Sequence, residues 1–302
     1  MGEKEFMIAE PIDKLQHYII PITDFSIDIF DDNFIYVFDE DLRISLKKFD
    51  YENDMERVDA DHFSVLDHSE LKIKYKWGFR FDCKKNEALT FLERVNLILL
   101  AFRIYSEADC TAIYLLNVTI PYNSYKETNI WKRAIANRKH NFGFDIKTLD
   151  KVKIGYLRLK SFYSTSLRTK HSVQFLYLGY TSNYWMQAFI LFMTSLEALL
   201  SPPTEDQITT KIIKRTRNLI NDTKLCSKNI MDHLYELRSD IIHGRILVGL
   251  NFIERIDDMV KLQIIVLRAF ERMLEKDFAS IYQNEESKEL FFQQLEKHQA
   301  EV

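Results

Sequence analysis

The apolar residues of this chain change their period near its middle, and the change divides it. In the first part they alternate. Leu71, Ile73, Tyr75, Trp77, Phe79 and Phe81 are separated by Lys72, Lys74, Lys76, Gly78 and Arg80. This predicts a strand with one buried and one basic face. Lys and Arg on the outer face also suit a sheet edge guarded against aggregation. Phe25, Ile27 and Ile29 alternate as well, Asp31-Asp32-Asn33 supplies turn residues, and Phe34 to Phe38 resumes an apolar run. The pattern predicts a hairpin there. Glu87 to Tyr105 reads as a helix through Leu92, Val95, Leu99 and Phe102, and Ala112 to Ile120 as a strand ended by Pro121.

From about residue 122 to 147 the chain is polar and has no period, which places a boundary there. Beyond it the spacing is helical. Leu149, Val152, Tyr156, Leu159 and Tyr163 recur in steps of three and four. A second helix is predicted over His171 to Tyr180. A third, over Tyr184 to Leu200, carries the stripe Trp185, Phe189, Phe192, Leu196 and Leu199. It is apolar on its other sides too, so it belongs at the centre. Ser201-Pro202-Pro203 stops it, and Thr204 caps a fourth helix with Glu205 and Asp206 in its first turn. That helix turns Ile213, Thr216 and Ile220 inward and Lys211, Lys214, Arg215 and Arg217 outward. The fifth, Ser227 to about His243, buries Ile230, Leu234, Leu237 and Ile241, with Gly244 as its C-cap. The sixth carries Ile253, Ile256, Val260, Ile264 and Leu267. A charged segment from about Asn284 completes the chain. The expected class is α+β: an N-terminal mixed α/β domain over 1–125, a linker over 126–147, and an all-α up-and-down helical bundle over 148–302.

Composition narrows the function. Of the 302 residues, 46% are hydrophobic and 13% aromatic, enough for sizeable cores, while 7 Gly and 5 Pro argue against an all-β fold. The formal charge of −4 means that any nucleic-acid contact has to come from a local patch. Cys83, Cys110 and Cys226 are odd in number and far apart, neither a disulfide framework nor a zinc pattern. The polar N-terminus has no signal-peptide character. The most apolar run, Ala188 to Leu200, is too short for a bilayer and contains Glu197. A cytoplasmic protein without membrane segments, metal or cofactor is expected. No Gly-rich phosphate loop occurs, and the histidines lack metal-ligand spacing.

Three residues stand out in the helical half. Glu197 is a carboxylate in an apolar helix and needs a partner. Arg238 and His243 lie near the end of the fifth helix in Leu237-Arg238-Ser239-Asp240-Ile241-Ile242-His243-Gly244. Positions five apart diverge by about 140° on an ideal helix. Ser239 and Asp240, one turn before His243, are the residues placed to orient its imidazole. The pair suits metal-free RNA cleavage. RNA carries its own nucleophile, the 2′-hydroxyl. A histidine titrating near neutrality supplies the base or acid, and an arginine fork supports the charge that grows on the phosphate. Lys214, Arg217 and Arg245 are the weaker candidates for holding the RNA strand. The competing reading makes Glu197–Arg238 a structural ion pair and His243 a helix cap.

Phe192-Met193-Thr194-Ser195-Leu196-Glu197-Ala198-Leu199-Leu200-Ser201, then Lys214-Arg215-Thr216-Arg217-Asn218-Leu219-Ile220, then Leu234-Tyr235-Glu236-Leu237-Arg238-Ser239-Asp240-Ile241-Ile242-His243-Gly244 resembles the HEPN superfamily, in particular its Apea-like branch, over about residues 150–275. The resemblance implies a helical bundle and, in active members, metal-independent endoribonuclease activity built from paired domains. Arg238 and His243 match the family's Arg and His. Ser239 stands where Asn, Asp or His is common. Arg245 stands where members paired with a nucleotidyltransferase antitoxin carry Tyr. By the same analogy the settings are antiphage defence or a toxin-like role, the unit is a homodimer, and the N-terminal domain senses a protein or phage trigger. The alternative within the family is a non-catalytic nucleotide- or protein-binding scaffold.

Overall fold

The computed structural model describes residues 15–23, 26–27, 31–48, 76–84, 87–106, 111–112, 143–182, 184–201, 208–246 and 252–297. The class is α+β and mostly helical. The chain divides into two compact units: Met1–Leu99 with Asp109–Asn123 and Asn141–Leu149, and Leu100–Ala108 with Ser124–His140 and Asp150–Val302.

In the first unit, strands β1 (Leu15–Thr23), β3 (Ile35–Asp39), β4 (Ile44–Lys48), β5 (Trp77–Lys84) and β6 (Thr111–Ala112) form one antiparallel sheet, ordered β3-β4-β5-β1-β6. A short parallel pair joins β2 (Ser26–Ile27) to β7 (Gly143–Phe144). Trp77, Phe79 and Phe81 are buried as the alternation predicts, and Cys83 continues the same face. Phe38 meets Phe79 edge-on and Phe81 stacks on Phe91 of α1 (Ala88–Ser106). The strand is not an edge, however: β4 and β1 pair on either side of it. A basic outer face is common to edge and interior strands of a sheet with one wet side, so the pattern alone does not separate them. Arg80 is half-buried and donates to the Lys48 carbonyl at 3.1 Å. The hairpin also differs from expectation. The Asp31 turn forms, with Phe34 N donating to the Asp31 carbonyl at 3.2 Å. Yet β3 pairs forward with β4, and Ser26–Ile27 pairs with β7. β1 and β4 were not legible as strands. The expected strand residues 71–75 and 113–120, and linker residues 126–142, lie outside the described residues, while 143–147 are strand and helix start.

In the second unit the helices are α2 (Ile146–Thr165), α3 (Leu167–Thr181), α4 (Trp185–Leu200), α5 (Ile208–Ile220), α6 (Lys228–Ile242), α7 (Phe252–Leu274), α8 (Phe278–Ile281) and α9 (Glu285–Lys297). The α2 stripe of Val152, Tyr156, Leu159 and Tyr163 is buried as expected, continuing Leu149. Helix α4 is the hub and packs on α3, α5, α6 and α7. Its approach to α3 depends on Gly179, where an added Cβ would stand 2.6 Å from the Phe192 ring. Ser195 Oγ donates to the Ser172 carbonyl at 2.7 Å across the same contact. Tyr180 and Trp185 are core residues, leaving Tyr184 exposed.

Three inward faces are corrected. Arg215, expected outside, is only 1% exposed. On α7 the buried residues include Met259, Leu262, Val266, Phe270 and Met273, whereas Ile264 is exposed and Val260 and Leu267 are half-buried. That helix carries two apolar stripes, and period alone does not choose between them. On α6 Ile230 and Ile241 are half-buried, and Met231 and Tyr235 fill the core beside Leu234 and Leu237. The expected cap at Thr204 lies outside the described residues. Cys83 and Cys226 are free and buried. Burial pushes their thiols up to about 11 and about 12. Among the described residues no helix is long and apolar enough to cross a membrane.

Candidate functional site

The last turns of α4 organise the site. A helix end leaves carbonyls without helical partners and carries partial negative charge. Here donors from three other elements meet them. Arg168 of α3 donates to the Glu197 carbonyl at 3.3 Å, Tyr282 Oη after α8 to the Leu199 carbonyl at 2.7 Å, and Arg215 Nη1 of α5 to the Leu200 carbonyl at 2.9 Å. Burial pulls the Arg168 guanidinium below its usual range and pushes the Tyr282 hydroxyl up. Arg215 is further held by Glu296 of α9. Its Nε donates to Oε1 at 2.8 Å and Nη2 bonds the same oxygen, with the Phe292 ring centred 4.7 Å from the guanidinium carbon. Asn218 of α5 donates to the Leu295 carbonyl, a second tie to α9.

The side chain of Glu197 turns the other way, to α6. Its Oε2 accepts from Arg238 Nη2 at 3.2 Å, and the two side chains are 21% and 29% exposed. The partner expected for a carboxylate in an apolar helix is thus present. Burial raises the Glu197 carboxyl above its ordinary range, against the pull of Arg238 and of the nearby Tyr235 hydroxyl. Tyr235 sits one turn before Arg238 on α6 and is itself pushed up, by burial first and by Glu197 second. Arg238 Nε has no hydrogen-bond partner among the described residues.

Helix α6 begins at Ser227, whose side chain accepts from Ile230 N at 3.3 Å. It ends in the left-handed turn that only glycine adopts without strain. Gly244 has φ +65, with Arg245 N donating to the Asp240 carbonyl at 2.8 Å and Gly244 N to the Ile241 carbonyl at 3.2 Å. This fixes His243 as the cap residue, exposed, its amide bonded to the Ser239 carbonyl. Among the described residues its imidazole has no hydrogen bond or ion pair. The expectation that Asp240 orients it is corrected: the Asp240 carboxylate pairs with Arg245 Nη1 at 3.1 Å. Ser239 contributes its backbone carbonyl.

The candidates therefore fall into three groups. Glu197 and Arg238 are joined, Asp240 and Arg245 are joined, and His243 stands apart in water. Lys214 is exposed, and Arg217 is half-buried, its Nε without a partner among the described residues. Among the described residues no group of three His, Cys, Asp or Glu side chains is placed to hold a metal; His233 pairs instead with Asp258 at 3.1 Å. Sequence reasoning missed Tyr235, Arg168 and Arg215. Only Tyr235 left a usable signal, its spacing of three from Arg238, which shares a helix face. Comparison of the chain with family models, with curated proteins and with solved structures finds no match.

Proposed function

We propose that the protein is a metal-independent endoribonuclease of HEPN type that cuts single-stranded RNA. His243 takes the proton of a 2′-hydroxyl, whose oxygen attacks the adjacent phosphorus. Arg238 supports the charge on the phosphate as the 5′-oxygen leaves, and a proton delivered to that oxygen completes the cut. The products are a 2′,3′-cyclic phosphate and a 5′-hydroxyl. The observation that carries the reading is the contrast within one helix end: an exposed imidazole with no partner among the described residues and a part-exposed guanidinium held through one bond. Both groups are accessible, and neither is consumed by packing.

One copy does not complete the site. Arg238 and His243 diverge by about 140° around α6, so a single phosphate is poorly held between them. A two-fold homodimer that brings two α6 ends together supplies one histidine as base and the other as acid, with two arginines on the phosphate. Lys214, Arg217 and Arg245 extend the positive surface along the strand. The N-terminal unit is assigned the sensing of a protein or phage trigger, and the setting is cytoplasmic defence or a toxin-like role.

Mixing Arg238→Ala chains with His243→Ala chains tests the shared site. Partial recovery of cleavage supports it, and a strictly monomeric protein that still cuts RNA overturns the dimer. One observation favours a different reading. Arg238 is already matched by Glu197 and Arg245 by Asp240, as in a folded binding module for nucleotides or proteins. That reading expects tight binding without cleavage.

A further inference from the structure

Helix α1 turns one face to the sheet of the N-terminal unit, and that face carries a cation. Phe91, which stacks on Phe81 of β5, is buried there with Leu97 and Ile98. Arg94 stands three positions after Phe91 and three and four before Leu97 and Ile98, so it shares their side of the helix. Its Nε and Nη1 are both shut off from solvent and meet no acceptor, and no hydrogen bond or ion pair holds it among the described residues. Other arginines differ. Arg80, Arg168, Arg238 and Arg255 also leave a buried Nε unbonded, but each is held through a terminal nitrogen. Among the described residues Arg94 is the one arginine that leaves two buried nitrogens bare. Glu93 does not answer it from the same face, since sequence neighbours stand about 100° apart round a helix.

A guanidinium that loses water and gains no acceptor is costly, and leucine in the same place would carry no such cost. An ion that joins the group is one physical account of such a site. The residue is half-buried rather than sealed, so a small ion reaches it without the core opening. We propose that Arg94 anchors a small carboxylate-bearing ligand in the N-terminal unit. The planar fork of an arginine matches a carboxylate through paired N–H bonds. A strongly hydrated phosphate needs more donors than one cation beside Phe91, Leu97 and Ile98 supplies, whereas a carboxylate on an apolar body suits both the fork and its neighbours. The site gives the N-terminal unit a ligand of its own and does not rest on the ribonuclease reading.

The test uses the full chain and sodium benzoate as the probe. Sodium acetate and inorganic phosphate are further arms, and sodium chloride at equal ionic strength is the reference. Benzoate should raise Tm by about 2–4 °C at saturation, acetate should raise it less, and phosphate no more than chloride. Arg94→Leu should abolish the rise. Without ligand the same variant should melt at or above the parent, because it removes a charge that nothing answers. Isothermal titration should show saturable benzoate binding to the parent and binding about tenfold weaker, or none, to Arg94→Gln. A benzoate response equal to that of chloride, or one that survives in Arg94→Gln, overturns the proposal. So does a ligand-free Arg94→Leu that melts well below the parent, since the arginine would then already have a partner within the chain. A rise with phosphate alone overturns the carboxylate assignment. No arm needs RNA, so a protein that cuts no RNA defeats the ribonuclease reading and leaves these measurements standing.

Discussion

Two arginine–glutamate pairs flank the end of α4, and they are built to opposite ends. Arg215 and Glu296 make two bonds to one carboxylate oxygen, a third to the Leu200 carbonyl and a ring contact, with the arginine side chain 2% exposed. Arg238 and Glu197 make one bond at 3.2 Å, with both side chains part-exposed and the Arg238 Nε idle. The first pair engages all three nitrogens of its fork in the fold. The second leaves donors over. The same two residue types thus mark a structural joint in one place and a group kept available in the other. What separates them is the number of partners and the water each can reach, not the pairing itself.

The comparison breaks most visibly at the buried pair. Glu296→Ala leaves the Arg215 charge uncompensated in the interior, with an expected loss of about 3–5 kcal/mol in chemical or thermal unfolding. An apolar double variant, Arg215→Met with Glu296→Leu, should cost clearly less than Glu296→Ala, because it removes both charges together. Equal losses would show that shape rather than charge ties α9 to α5. At the second pair, Glu197→Ala should cost about 1–2 kcal/mol and reduce cleavage, since it removes a charge-assisted bond from a site that is mostly buried but still reaches water. An unchanged melting temperature would mean that the pair adds nothing to the fold.

The smallest expected effect concerns pH. Burial holds the Glu197 carboxyl above its ordinary value of 4.5, so the folded state binds that proton more tightly than the unfolded chain does. This contribution is full at pH below the ordinary value and is lost as pH rises through the folded one. The stability of the parent relative to Glu197→Gln should therefore fall from about pH 4.5 upward. A difference that stays flat, or rises, over that range would contradict the assignment of burial as the leading cause.

How much of this could be read in the sequence depended on whether one period or one partner decided the outcome. Helix α2 was legible because it has a single apolar stripe. Helix α4 was legible because it is apolar all round, and Glu197 stood out against it. Helix α7 was misread because it offers two stripes, and the choice is made by α4 and α5 rather than by α7. Arg215 was placed outside because its local sequence, Lys214-Arg215-Thr216-Arg217, reads as a basic face. The carboxylate that draws it inward is Glu296, in a helix near the end of the chain. The interior place of β5 likewise depends on β1 and β4, whose patterns are weak. At the candidate site Arg238, His243 and Glu197 were visible as chemical types. That Asp240 belongs to Arg245 and not to His243 was not, because the Gly244 turn folds Arg245 back over the helix end.

The central claim is metal-free RNA cleavage by Arg238 and His243. The most direct test incubates the purified full chain, with excess EDTA, on end-labelled single-stranded RNA beside its Arg238→Ala and His243→Ala variants. The account predicts products ending in 2′,3′-cyclic phosphate from the parent, and a fall of about 100-fold or more in either variant. Intact RNA at high protein concentration, cleavage that needs magnesium, or cleavage that survives both substitutions would contradict it.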